Sequence, residues 1–160
     1  MVNRSNIEQS GTRRPWQFME RFTIRMPDGS IYLDRLRIIQ TPFFGIMLHK
    51  FTGPDAEPYL HDHPWSFLSI VLRGGYREMR RNNHTYTADP KHVRFFNFKS
   101  KHDAHFIYQL DRNPTWTLVI HGRRRRTWGF YVPTTHPPDQ TWIEFQNMEE
   151  YKASHLKQRF

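Results

Sequence analysis

Turn signals recur roughly every 8 to 12 residues between Phe22 and Phe145, a spacing that leaves room for short strands and little else. Pro27-Asp28-Gly29-Ser30 separates the apolar runs Phe22 to Met26 and Ile31 to Ile39. Proline presets φ there and glycine accepts a positive φ, so a hairpin is expected. Further strands are expected over Phe44 to Phe51, Tyr59 to Leu72 (one strand, or two broken near Pro64), Tyr76 to Arg81, His92 to Phe98, Ala104 to Leu110, Thr115 to His121, Thr127 to Val132 and Thr141 to Phe145. Gly74-Gly75, Asn82-Asn83 and Asp111-Arg112-Asn113-Pro114 punctuate them. No alternation with helical patterns interrupts the series, so the chain reads as all-β, an antiparallel sandwich or barrel.

The two ends differ. Residues 1–18 form a basic arm without an apolar period, and residues 19–146 hold the strands. Asn147 with Glu150 resembles a capping box, and Met148, Tyr151, His155 and Leu156 fall at helical spacing, so residues 147–160 are expected to be a short helix packed on the barrel.

At 160 residues the chain suits one domain, and 13 Phe, 7 Tyr and 5 Trp imply an aromatic-rich core. It has no cysteine, which excludes disulfides, thiolate metal sites and a cysteine nucleophile. No apolar stretch approaches the roughly 18 residues of a membrane span, and the N-terminus lacks a signal-like apolar segment, so a soluble cytoplasmic protein is expected. Lys and Arg outnumber Asp and Glu by 24 to 15, a formal net charge of +9, which favours anionic partners without choosing among them.

The chemistry lies with histidine. His61 and His63 stand at i and i+2, the spacing that puts two imidazoles on one face of a strand. His102 and His105 form a second cluster some forty residues later, entering another expected strand. Neutral imidazole is a common ligand of first-row metals, so the two clusters together suggest a site. His49 shares strand parity with Met47 and Phe51 and is expected to point inward as a satisfied core histidine; His121 reads the same way. Glu78, set among Arg77, Arg80 and Arg81, reads as a surface carboxylate or as a group returning toward the site.

His61-Asp62-His63-Pro64-Trp65, followed by Gly74-Gly75-Tyr76 and then by a histidine leading into a strand, resembles the cupin superfamily. The string LHDHPWSFLSIVLRGGY with the later TWGFY is similar to small cupin-like proteins, some encoded by bacteriophages, across roughly residues 31 to 145. The resemblance implies a jelly-roll β-barrel of antiparallel strands around one divalent metal. His61 and His63 match the paired histidines of the first cupin motif and His105 the single histidine of the second; His102 and Glu78 are further candidates. The usual first-motif glutamate is missing, with Phe67 and Leu68 in its place, and Ser100 and His102 stand where a proline and a glycine are usual.

A three-histidine set resembles the iron centres of thiol dioxygenases within the cupins. It implies Fe(II), with zinc, nickel or manganese as alternatives, and an oxidation of a small substrate in a pocket shaped by Trp65, Phe67, Tyr108 and His49. The alternatives are a non-catalytic metal-stabilised cupin in phage or bacterial assembly, and a metal-dependent isomerase or sugar-binding cupin, since the fold does not imply one chemistry. A homodimer is a further expectation. The run Arg123, Arg124, Arg125 and Arg126 reads as a solvated hairpin loop, or as a binding surface for an anionic ligand or nucleic acid.

Overall fold

Asp28-Gly29-Ser30 makes the turn its chemistry demands. Gly29 sits at φ 89° and donates to the Met26 carbonyl, while Asp28 Oδ1 accepts from both the backbone N–H and the hydroxyl of Ser30. The flanking strands β1 (Gln17–Arg25) and β2 (Ile31–Gln40) pair antiparallel from Gln17↔Gln40 to Arg25↔Ile31. This computed structural model describes residues 16–26, 28–81, 88–134 and 140–148. The expected Asn82-Asn83 turn and most of the basic arm lie outside the described residues, as does the C-terminal helix beyond Met148. Gln17 and Phe18, assigned to the arm, already belong to β1.

The chain continues through β3 (Phe44–Phe51), β4 (Leu60–His61), β5 (Phe67–Arg73), β6 (Tyr76–Arg81), β7 (Ala88–Val93), β8 (Phe96–Lys99), β9 (His105–Leu110), β10 (Thr115–Gly122), β11 (Gly129–Pro133) and β12 (Gln140–Glu144), then a 3-10 turn over Phe145–Asn147. Two six-stranded sheets result. Sheet I has the order β1-β2-β3-β10-β5-β8 and sheet II the order β12-β11-β4-β9-β6-β7, with the strand pairs antiparallel. The all-β jelly-roll expectation holds. Among the described residues no helix is long and apolar enough to cross a membrane.

Several segments expected to be local are crossovers between the sheets, and the Gly74-Gly75 turn is one, joining β5 of sheet I to β6 of sheet II. Tyr59 to Leu72 is two strands, β4 in sheet II and β5 in sheet I, broken where Pro64 has no N–H for a ladder. His92 to Phe98, expected as one strand, divides into the end of β7 in sheet II and the start of β8 in sheet I. Arg123 to Arg126 is no hairpin, because β10 lies in sheet I and β11 in sheet II. Each crossover carries the chain from one sheet to the other.

An apolar core joins the two sheets. Leu33 and Phe51 of sheet I meet Tyr76, Val93 and Ile107 of sheet II. A second cluster, Phe130, Val132 and Met148, sits under β11, where Trp128 and Phe145 stack at 4.3 Å. Burying side chains of this size contributes about 1.5–3 kcal/mol each, so the rings supply much of the stability that the low aliphatic content withholds. Gly129 is required at the edge of this cluster, since a Cβ there would stand 2.2 Å from the Ile143 carbonyl oxygen. Elsewhere the polarity is reversed. On β8, Asn97 and Lys99 are buried (2% and 0% exposed) while Phe96 and Phe98 face outward (72% and 61%).

Candidate metal centre

His61 closes β4, and the strand ends there because Asp62 and His63 turn into the crossover at Pro64. The expectation of two histidines on one strand face is therefore corrected: His61 is on a strand and His63 is on the loop that leaves it. They still converge. The two rings meet edge to face at 5.1 Å, and His105 at the start of β9 lies directly opposite His61 in the ladder, its ring 4.9 Å from that of His61. One ring nitrogen from each of His61, His63 and His105 falls within 4.8 Å of the others. His63 Nε2 and His105 Nε2 are 3.0 Å apart. Two imidazole nitrogens bound at about 2.0–2.1 Å to one ion stand about 3 Å apart or slightly more, so the His63–His105 pair is spaced for a small divalent ion and His61 is near enough to join it.

Behind His105 is a carboxylate. Glu78, on β6, is fully buried, which overturns its reading as a surface group. Its Oε2 accepts from His105 Nδ1 at 2.7 Å, and its Oε1 accepts from Arg80 Nε (2.6 Å), Lys99 Nζ (3.0 Å) and Asn97 Nδ2 (3.0 Å). Burial alone would raise its pKa. The His105 bond and the charges of Lys99 and Arg80 outweigh burial and hold it below the usual carboxylate range. An ionised carboxylate only accepts, so the His105 proton sits on Nδ1 and the Nε2 lone pair faces the other histidines. Glu78 thus orients a ligand through the far side of its ring. Burial, with the Lys99 charge next, lowers the His105 pKa to about 3, and burial also holds His63 well below its ordinary value. Both are neutral bases at pH 7, the form that binds metal. Lys99, buried opposite Glu78, is lowered to about 8 by burial despite that partner.

These groups, with His49, set an acid limit. Three histidines, His49, His63 and His105, are held below the ordinary value of 6.5 in the fold. The unfolded chain therefore binds more protons below about pH 6.5, and stability falls as pH drops from there, by up to about 1.4 kcal/mol per pH unit for each group. Glu78 adds a further loss below about pH 4.5. Urea unfolding of metal-free protein should show the midpoint dropping steadily from pH 7 to 5; a flat profile over that range would contradict the assignment of neutral buried histidines.

Solved structures resemble this arrangement of sheets. No family model matches the chain, and no curated protein matches its sequence. An oxalate decarboxylase variant from Bacillus subtilis superposes with a TM-score of 0.51 at 8% identity, over 72% of this chain and 31% of that one. An RmlC-like cupin from Shewanella frigidimarina gives 0.45 at 17% identity over 59% of this chain and 79% of its own. Hydroxypropylphosphonic acid epoxidase from S. wedmorenis gives 0.47 at 12% identity over 69% and 57%. This chain has the cupin fold.

Within this fold the other candidate residues separate. Phe67 is buried and packs edge-on against His63 at 4.8 Å, on the wall of the cluster. Trp65 stacks on His121 at 4.1 Å, behind that wall. Tyr108 does not line the pocket: it alternates with the inward His105 and Ile107, is 38% exposed, and meets Phe106 on the outer face. His102 is not among the three histidines that converge. It sits exposed in a tight turn closed by Ser100 N–H to Asp103 Oδ2 (2.7 Å). His49 is buried as expected but is not satisfied, since its Nε2 has no hydrogen-bond partner. His121 is buried with Nδ1 2.9 Å from the Gly122 carbonyl and Nε2 3.1 Å from Gln40 Oε1.

The arginine run also divides. Arg123, Arg124 and Arg125 are exposed, whereas Arg126 folds inward, with Nη2 2.9 Å from Asp62 Oδ2, Nη1 donating to the Lys101 carbonyl and the guanidinium over the Trp142 ring. Asp62, between the two first-motif histidines, is fully buried and was not singled out from the sequence. Asn97 and Arg80 were missed as well, and Lys99, which the sequence offers as a basic helper of the arginine run in anion binding, is instead wholly buried against Glu78. A signal existed for two of them, because Asn97 and Lys99 alternate with Phe96 and Phe98 on one short strand, but alternation alone does not say which set faces in.

Proposed function

We propose that this cupin binds one divalent metal, iron(II) in the first instance, through His61, His63 and His105, and uses it to oxidise a small substrate with dioxygen. The observation that carries the reading is the convergence of three ring nitrogens within 4.8 Å with His105 held by the buried Glu78. When bound, the ion supplies open coordination positions and redox chemistry toward dioxygen. The chain supplies the rest. His63 and His105 offer lone pairs without first losing protons. Glu78 keeps the His105 ring from rotating and fixes its tautomer. Phe67 packs its ring against His63 and limits water on that side. Zinc, nickel or manganese suit the same donors, so metal identity is part of the test.

Protein purified without added metal, then reloaded with each ion in turn, should hold one ion per chain. The His61→Ala/His63→Ala variant should lose at least 100-fold in affinity, read by elemental analysis and calorimetry. Equal and negligible uptake by both proteins would remove the site. Oxygen consumption by the iron form against thiols, amino acids and 2-oxo acids separates enzyme from scaffold; stoichiometric iron with no uptake across the panel would favour a metal-stabilised, non-catalytic cupin.

A further inference from the structure

The histidine cluster is built on sheet II and the loop that leaves it, and the inner face of sheet I at the same level is polar. The apolar plug joins Leu33 and Phe51 of sheet I to Tyr76 and Ile107 of sheet II. One inward residue further along sheet II, from Ile107 to His105, the face reaches the histidine cluster. One inward residue further along sheet I brings Arg35, His49 and Thr117 into a single cross-strand row, Arg35↔His49↔Thr117. The two rows therefore occupy the same layer of the sandwich.

His49 is 8% exposed and Thr117 is 1% exposed, yet His49 Nε2 and Thr117 Oγ1 have no hydrogen-bond partner. Buried polar atoms are nearly always paired, and two in adjacent positions of one row are a cost without a structural return. Beside them the Arg35 guanidinium lies 5.2 Å from the centre of the Phe22 ring. Its charge reaches across the interior: it is second to burial in lowering the His49 pKa, and it adds to the lowering at His63 after burial, His61, His105 and Lys99. Asp55 also feels Arg35, but its Oδ2 is engaged by the Ile107 N–H at 2.7 Å. A half-buried cation flanked by a hydroxyl and an imidazole that lack partners is the complement of a small oxyanion.

We infer that Arg35, His49 and Thr117 form an oxyanion-binding subsite on the inner wall of sheet I, which takes the carboxylate or phosphonate end of a small substrate. The inference rests on the proposed function in that the substrate's other end reaches the three histidines. Arg35 supplies the charge, and the His49 Nε2–H and the Thr117 hydroxyl each donate one bond. Substrates without an anionic group lack a partner for this wall.

Calorimetric titration of metal-free protein with acetate, oxalate, methylphosphonate and inorganic phosphate at constant ionic strength tests it without turnover. At least one should bind at one site per chain, and Arg35→Gln and His49→Phe should each weaken that binding tenfold or more. Thr117→Val is close to isosteric. It should weaken binding several-fold while raising the melting temperature of the free protein by roughly 2–4 °C, because it removes an unpaired buried hydroxyl. A hydroxyl with a purely structural role would give a lower melting temperature instead. The Arg123→Ala/Arg125→Ala variant should bind as wild type does. No saturable binding by wild type, unchanged binding in Arg35→Gln and Thr117→Val, or loss of binding in the Arg123→Ala/Arg125→Ala variant overturns the subsite. Zinc titration of the same samples keeps the two claims apart: metal uptake without oxyanion binding rejects the subsite alone, and oxyanion binding without metal uptake rejects the metal centre alone.

Discussion

Glu78→Gln should lower metal affinity 10- to 100-fold and destabilise the fold by about 3–5 kcal/mol, and the two losses should be separable. The four bonds at Glu78 all arrive from donors: His105 Nδ1 on one oxygen, and Arg80, Lys99 and Asn97 on the other. Glutamine keeps one acceptor oxygen and replaces the other with an NH₂. If the NH₂ faces His105, the ring must take its Nδ1 as acceptor and move its proton to Nε2, where it points at His63, 3.0 Å away, and blocks ligation. If it faces the other way, it opposes three donors, one of them a lysine whose side chain is wholly buried. Either orientation leaves the Lys99 ammonium without its counter-ion. Adding Lys99→Met removes that buried charge, so the double variant should regain most of the stability while its metal affinity stays low. Urea unfolding and calorimetric metal titration of the single and double variants read the two effects independently. A single variant with wild-type metal affinity would show that Glu78 does not govern His105.

That network marks the boundary of what the sequence discloses. The Asp28-Gly29 hairpin and the Gly74-Gly75 turn are legible because turn chemistry is local; Gly29 adopts the positive φ, at 89°, that the sequence suggests. His61, His63 and His105 are legible because a string of residues resembles a family. Glu78 is not, because its setting along the chain, Arg77-Glu78-Met79-Arg80-Arg81, reads as a charged surface strand. Its burial is decided by Asn97 and Lys99, which arrive from the opposite sheet on a strand whose phenylalanines face out. Which of two alternating sets turns inward depends on what the facing sheet offers, and that is a tertiary property. The same holds for the crossovers. A proline marks where a strand stops, but only the packing of both sheets determines that the chain resumes in the other one.

Asp62 supplies the second test with a large expected effect, and it separates the members of the arginine run. Its Oδ1 accepts from the Gly129 N–H at 2.8 Å, and its Oδ2 lies 3.1 Å from the Trp142 Nε1 and 2.9 Å from Arg126 Nη2. One carboxylate thereby ties β11, β12 and the last arginine of the crossover to the loop between His61 and His63. Asp62→Ala leaves a backbone N–H, an indole N–H and a guanidinium without their acceptor, and a loss of about 3 kcal/mol or more is expected. The metal site should suffer with it. His61 pairs with Phe130 of β11 on one side and with His105 on the other, so slackening β11 shifts one ligand relative to another. Arg126→Gln should reproduce part of the stability loss, and in a double-mutant cycle with Asp62→Ala the two changes should be far from additive. Arg123→Ala and Arg125→Ala should leave the unfolding midpoint unchanged, since both side chains are exposed and the Arg125 bond to the Pro64 carbonyl is made by its backbone. Unfolding curves in which Arg126→Gln behaves like Arg123→Ala would return the run to a uniform solvated loop. The opposite result would mean that the run combines one structural tie, at Arg126, with a solvent-facing basic stretch.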